Sequence, residues 1–347
     1  MTSRELPTVS LLVAMRNEEK NIGDCLISIF NQDYPASRIE VFIMDGKSTD
    51  HSWDIVQRLI QNKDNYCLIN NPKISQSAAW NIGIEKSHGD VVSIVSAHSV
   101  LAPDYVSKAI ETSIRTGADL VGGPMVAKGE TRTSKAISIA TSHPFGIGGA
   151  RFHYATAEET VDTVYMGFCR RELYMKIGGF DEEMVRNQDD ELSYRILDYA
   201  GRIVCNPEIK SQYFNRATLK SLSKQYYQYG FYKVRVMQKH PSQMRTRQFI
   251  PPIFVLGLIG SALLSAFLTW GWITFAIIAL SYLSANLIAS AAIAKKMGWL
   301  YFPLLVVVFC ILHLSYGSGF LVGLIKFSNR WNDRIGKIPN FSYEPPG

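Results

Sequence analysis

From Phe249 to Ile325 the chain runs for 77 residues with only two charged side chains, Lys295 and Lys296. No ordinary soluble fold needs so long an uncharged stretch. It divides at Trp270-Gly271-Trp272 and again at Lys295 to Trp299. The pieces, about Ile250 to Thr269, Ile273 to Ala294 and Leu300 to Ile325, each reach the roughly 20 residues that span a bilayer as a helix. Trp270, Trp272, Trp299 and Tyr301 stand at their ends, where interfacial aromatics sit. Three spans would put Lys326, Arg330, Arg334 and Lys337 on the far side, against the tendency of cations to stay inside. Gly317, Gly319 and Gly323 offer a place for the last segment to bend back.

The 248 residues before this block carry charge at an ordinary globular density and are enough for one large α/β domain or two small ones. With 30 Lys and Arg against 28 Asp and Glu, that part is nearly neutral, which gives no sign of a nucleic-acid binder. Lys210, Arg216, Lys220, Lys224, Lys233, Arg235, Lys239, Arg245 and Arg247 follow Glu208 with no acid among them. This stripe reads as a juxtamembrane cation cluster facing anionic lipids, or as a solvated helix face. The five cysteines lack C-x-x-C spacing and suggest neither a disulfide framework nor a zinc site. Met1 to Pro7 shows no apolar core of a signal peptide, so the large domain is expected to remain cytoplasmic.

Alternation organises the first part. Val9 to Ala14 reads as a strand, followed by polar Arg16, Asn17 and Glu18 and by a helical pattern through Phe30. Ile39 to Met44 repeats the strand, ends at Asp45-Gly46 and passes to a helix from Trp53 to Ile60, with Thr49 or Asp50 as N-cap. Cys67 to Asn70, a helix from Ser75 to Ser87, and Val91 to Val95 continue the order. Such alternation predicts a mostly parallel sheet with helices on both faces and ligands at the carboxyl ends of the strands. The stretch past Leu120 reads as loop-rich. Helices from Asp190 to Tyr199 and from Leu219 to Lys239 close the soluble part. The domain boundaries read as 1–208 for the α/β fold, 209–248 for the basic segment, 249–325 for the membrane region and 326–347 for a basic tail.

Four pieces in order, the strand and loop Val9 to Glu19, Met44 to Asp50, the Asn81-Ile82-Gly83-Ile84 helix before Gly89-Asp90, and Gly178-Gly179-Phe180-Asp181-Glu182, resemble family 2 glycosyltransferases. The resemblance covers about Thr8 to Tyr199. Ala97-His98, Asn187 to Leu192, and Gln225 to Gly230 followed by Lys239-His240-Pro241 make it most similar to bacterial exopolysaccharide enzymes of the succinoglycan type.

The resemblance implies a Rossmann-like nucleotide-diphospho-sugar transferase (GT-A) fold that transfers a sugar, glucose first among candidates, from a UDP-sugar with inversion. It implies that Arg16, Asn17, Glu18, Asp45, Ser96 and Ala97 hold the donor. Asp45 can accept from the uracil imide or a ribose hydroxyl, or can simply shape the turn before Gly46. Where the family carries D-x-D, this chain has Ser96-Ala97-His98. His98 then either ligates Mn²⁺ or Mg²⁺ or hydrogen-bonds the diphosphate directly. Gln188-Asp189 stands where the family keeps its catalytic E-D, so Asp189 inherits the role of general base. Asp190 and Glu191 read as first-turn acids in solvent. Gly178, Gly179, Gln188 and Asp190 fall on the acceptor side. The acceptor is expected to be a polyprenyl-diphosphate-linked oligosaccharide in a bacterial inner membrane, with anionic lipids as further partners. No Q-x-x-R-W string is present, which argues against a synthase that exports its chain. A catalytically silent membrane scaffold is the rival from another class.

Overall fold

The computed structural model describes residues 6–214 and 218–341. In chain order the elements begin β1 (Val9–Met15), α1 (Ile22–Phe30), β2 (Ile39–Asp45), α2 (Ser52–Ile60), β3 (Tyr66–Asn70), α3 (Gln76–Lys86), β4 (Val91–Ser96), β5 (Ser99–Leu101), α4 (Tyr105–Thr116), β6 (Leu120–Gly123) and β7 (Met125–Lys128). There follow α5 (Arg132–Thr141), α6 (Pro144–Ile147), β8 (Glu159–Thr160), β9 (Tyr165–Arg170), α7 (Arg171–Ile177), α8 (Gln188–Asp198), β10 (Ile203–Cys205) and β11 (Ser211–Phe214). The chain closes with α9 (Leu219–Lys239), α10 (Ile250–Leu264), α11 (Thr269–Met297) and α12 (Phe302–Lys326).

Two compact units result, and neither is continuous in sequence. Of the described residues, the first takes in those up to Val126, Tyr154–Tyr213 and 335–341; the second is Ala127–His153 with Phe214 and 218–334.

The first unit is built on an eight-stranded sheet of order β3-β2-β1-β4-β9-β6-β10-β8. β1 runs parallel to both β2 and β4, while β9 is antiparallel to β4 and β6. Strand alternation divides the side chains of β1 between two faces. Val9, Leu11, Val13 and Met15 enter a buried cluster with Ile22, Cys25, Leu26 and Ile29 of α1. Leu12 and Met44 point the other way, where α3 packs so closely that a Cβ on Gly83 would meet both side chains. Helices therefore cover both faces, as the apolar runs demand. The stretch past Leu120, expected to be loop-rich, instead supplies β6, β9 and α7.

The second unit is helical. Three stretches, Thr246–Leu264, Thr269–Met297 and Trp299–Lys326, are long and apolar enough to cross a membrane. The first break falls at Ser265 to Leu268 rather than at Trp270 to Trp272, which lie in the opening turn of α11. α12 is unbroken, so its glycines do not bend it back. They let backbones approach: a Cβ on Gly317 would meet Pro251 O of α10, and Cβ atoms on Gly319 and Gly323 would meet Tyr227 O and Phe231 O of α9. Gly230 of α9 answers against Tyr316 O.

That packing also changes the basic stripe. Lys233, Arg235 and Lys239 are buried, Arg235 completely. The Arg235 guanidinium donates to Gln238 Oε1 at 2.6 Å and to Arg330 O at 3.3 Å, and lies 3.5 Å from the Asp333 carboxylate. Part of the expected lipid-facing stripe thus fastens α9 to the turn that follows α12, because a cation taken out of water needs partners. Lys210, Lys220, Lys224 and Arg245 remain exposed. Arg216 lies outside the described residues.

Candidate active site

The parallel register sets Met15 opposite Asp45 and Ala14 opposite Ser96, so the loops after β1, β2 and β4 leave one edge of the sheet together. Arg16 is exposed at the start of the first loop. Asn17 takes a left-handed backbone, φ 55°, which asparagine tolerates better than most residues. Its side-chain oxygen accepts from Thr49 N at 2.8 Å, and its own amide donates to Ser48 Oγ at 2.9 Å. Asp45 is nearly buried, and its carboxylate accepts the Ser48 amide at 3.1 Å and the Ser48 hydroxyl at 2.5 Å. The turn-shaping job of Asp45 is therefore visible.

Asp50 clamps the same two loops. It accepts the Ser52 hydroxyl at 2.6 Å and amide at 3.0 Å with one oxygen, and the Glu19 amide at 3.1 Å with the other. Partial burial would raise its pKa, but the hydrogen bonds from Ser52 and Glu19 outweigh this and hold it below the usual carboxylate range. The residue at the N-cap of α2 is His51, not Thr49 or Asp50. Asp50, one residue earlier, both joins the loops and accepts the first amide of α2.

Past β4, Ala97 is buried and His98 turns its Nδ1 to Glu18 Oε1 at 3.1 Å, with its ring 5.0 Å from that of Tyr213. Glu18 is oriented in turn by its amide on Ser52 Oγ at 2.7 Å and by Asn21 Nδ2 on its second oxygen at 3.0 Å. Among the described residues no group of three or more His, Cys, Asp or Glu gathers as a metal cage. The donor set here is one carboxylate and one imidazole. Behind it, burial first and the charge of Glu18 second push the Cys25 thiol up to about 12, so it remains a protonated core group.

The acidic string opens α8. Asn187 precedes it at φ 61°, and Gln188 is buried with its amide on Val185 O at 3.1 Å. Asp189 and Asp190 are half-buried, and Asp189 Oδ1 accepts the Asp190 amide at 3.0 Å. Glu191 is not a solvated first-turn acid. It is fully buried and paired with Arg195, Oε1 to Nε and Oε2 to Nη2 each at 2.8 Å. An i, i+4 acid and arginine on one helix face was the available signal for this pair.

Arg195 links α8 to the Gly178 to Glu182 loop. Its Nη1 donates to Ile177 O at 2.8 Å and Gly178 O at 3.2 Å, and its Nη2 to Gly179 O at 2.6 Å. Asn81 of α3 grips the next residue from both sides, donating to Phe180 O at 2.8 Å and accepting the Phe180 amide at 2.7 Å. Sequence reasoning missed both of these grips.

The mostly parallel sheet with helices on both faces is a fold of the GT-A type. The model of glycosyl transferase family 2 matches residues 10–178. Over 341 residues the chain is 28% identical to the succinoglycan biosynthesis protein ExoA of Rhizobium meliloti (strain 1021), covering 95% of this chain and 99% of that protein. It is 30% identical over 327 residues to the dolichyl N-acetyl-alpha-D-glucosaminyl phosphate 3-beta-D-2,3-diacetamido-2,3-dideoxy-beta-D-glucuronosyltransferase of Methanococcus voltae, covering 92% and 97%. The mannosyltransferase PcManGT of Pyrobaculum calidifontis, solved with GDP-Man and Mn²⁺, shares the fold with a TM-score of 0.61 at 16% identity, over 91% of this chain and 88% of that one. The chain belongs to glycosyl transferase family 2, and it is a glycosyltransferase.

Proposed function

We propose that the protein transfers one sugar, with inversion, from a UDP-sugar to a lipid-linked oligosaccharide during exopolysaccharide assembly. The observation that carries this reading is the Glu18 and His98 pair, held at 3.1 Å on the sheet edge that also bears Asp45. Arg16, Asn17, Asp45, Ser96 and Ala97 take the nucleotide end of the donor. Glu18 and His98 fit a divalent cation, because ions of this kind on a diphosphate use one or two protein ligands and fill the rest of their shell with phosphate and water. An imidazole in the set favours Mn²⁺ over Mg²⁺. When bound, the cation supplies positive charge against the departing diphosphate.

The acceptor hydroxyl oxygen attacks the anomeric carbon opposite its bond to the phosphate oxygen. That bond breaks with its electron pair on UDP, and Asp189 takes the hydroxyl proton. No protein acid is needed for so good a leaving group. Two relatives support the rest of the reading, one named for succinoglycan biosynthesis and one for transfer to a sugar on dolichyl phosphate. Apolar helices in the same chain would keep the catalytic fold near membrane-borne acceptors and raise their effective concentration.

The test is transfer from radiolabelled UDP-sugars into the lipid extract of membranes containing the full-length protein, with mass spectrometry of the product. A labelled lipid-linked oligosaccharide longer by one sugar supports the reading. Release of no UDP from any donor overturns it in favour of a silent scaffold.

A further inference from the structure

The chain after the apolar helices returns to the first unit and lies along the Gly178 to Glu182 loop. Lys337 N donates to Asp181 Oδ1 at 2.8 Å, Glu182 N donates to Lys337 O at 3.0 Å, and Gly179 N donates to Pro339 O at 3.1 Å. Asp181, which receives the tail, is fully buried. Side chains between these bonds fill the space that the glycines leave. A Cβ on Gly178, where φ is +82°, would come within 2.5 Å of Ile338 Cγ2, and one on Gly179 within 2.8 Å of the Phe341 ring. Gly178 thus serves two demands at once, a left-handed backbone and a close neighbour. The closeness that its sequence suggests for a ligand is used by the protein's own tail.

The same loop is held on its carbonyl side by Arg195 of α8, and α8 begins at Gln188-Asp189. We infer that residues 335–341 are a positioning strap for the acceptor side. The strap fixes the loop from outside, Arg195 fixes it from within, and the helix that presents Asp189 is registered against both. The strap residues do not touch the reacting atoms. They set where the loop and the start of α8 stand, and a misplacement of about 1 Å at such a site costs up to about 100-fold in rate. This inference rests on the acceptor-side reading proposed above.

The test uses the full-length protein in native membranes with their own acceptor lipids, comparing wild type, a deletion of residues 335–347, Phe341→Ala and Phe341→Leu. The expected result is an acceptor KM raised roughly tenfold or more in the deletion and in Phe341→Ala. UDP affinity, measured by calorimetry, stays within about twofold, and Phe341→Leu recovers most of the loss. In parallel, hydrogen exchange should show the Gly179 and Glu182 amides losing protection in the deletion, while the Phe180 amide on Asn81 keeps its own. A wild-type acceptor KM in both disrupted variants overturns the strap, as does an equal fall in acceptor use and UDP affinity. If wild type transfers no sugar, the proposed function fails, and unaltered exchange at Gly179 and Glu182 then decides against the strap separately.

Discussion

His98 Nδ1 lies 3.1 Å from Glu18 Oε1, so a histidine past β4 and a glutamate past β1 act as one unit. Glu18→Gln is therefore expected to raise the Mn²⁺ concentration for half-maximal transfer by roughly 10-fold or more, with His98→Ala doing the same and narrowing the preference for Mn²⁺ over Mg²⁺. Titrating each metal into membranes stripped by chelator reads both effects. Full activity in excess chelator would remove the metal and leave His98 as a donor to the diphosphate.

Asp189 and Asp190 are adjacent and equally half-buried, yet their expected roles differ. Asp189→Asn should lower turnover by roughly 10²- to 10⁴-fold, the usual loss for a general base, with UDP affinity little changed. Asp190→Asn should be much milder. Equal losses in steady-state kinetics would take the base away from Asp189.

Removing one partner of the buried Glu191 and Arg195 pair strands the other. Arg195→Met should cost about 3–5 kcal/mol, since Glu191 has no exposure to recover solvation. Thermal unfolding in detergent should show the drop. Adding Glu191→Leu should recover part of it, because no charge is then left buried. A single mutant as stable as wild type would mean that the pair is not formed.

For Asp50 the sign follows from a lowered folded pKa. Its contribution is present above the ordinary carboxylate range near 4 and is lost as pH falls through the folded value. Exchange at the Glu19 and Ser52 amides should accelerate beyond the intrinsic trend as pH falls below about 4, and Asp50→Asn should abolish that pH dependence. Because Asp50 is only half-buried and solvent still screens its bonds, overall stability should change little.

The cations of α9 are expected to separate by burial. Reversing exposed Lys220 and Lys224 to glutamate should slow transfer to lipid acceptor more than UDP release, and raised salt should mimic it. Arg235→Glu should instead unfold the helical unit, since it sets a carboxylate against Asp333 and the Arg330 carbonyl. If Lys220 and Lys224 leave transfer untouched, they are only a solvated face.

The sheet was legible wherever the signal was local. The expected strands Val9 to Ala14, Ile39 to Met44 and Val91 to Val95 each gain one residue at the carboxyl end, and Leu219–Lys239 is the helix that was expected. β9 was missed because an antiparallel strand inserted between two others has no βα rhythm to announce it. The turn at Ser265 to Leu268 carries neither glycine nor proline, so the tryptophans drew attention to the wrong place. Glu191 was misjudged because its burial depends on Arg195 and the loop carbonyls. Lys337 and Asp181 are separated by 156 positions, and nothing in a short polar tail advertises such a partner.

That last bond has a bearing on parity. Lys337 and Pro339 are stitched to the loop before α8, so residues on either side of the three apolar stretches belong to one compact unit. Three full crossings of a bilayer would part Lys337 from Asp181, and such an odd count is incompatible with the bond between them.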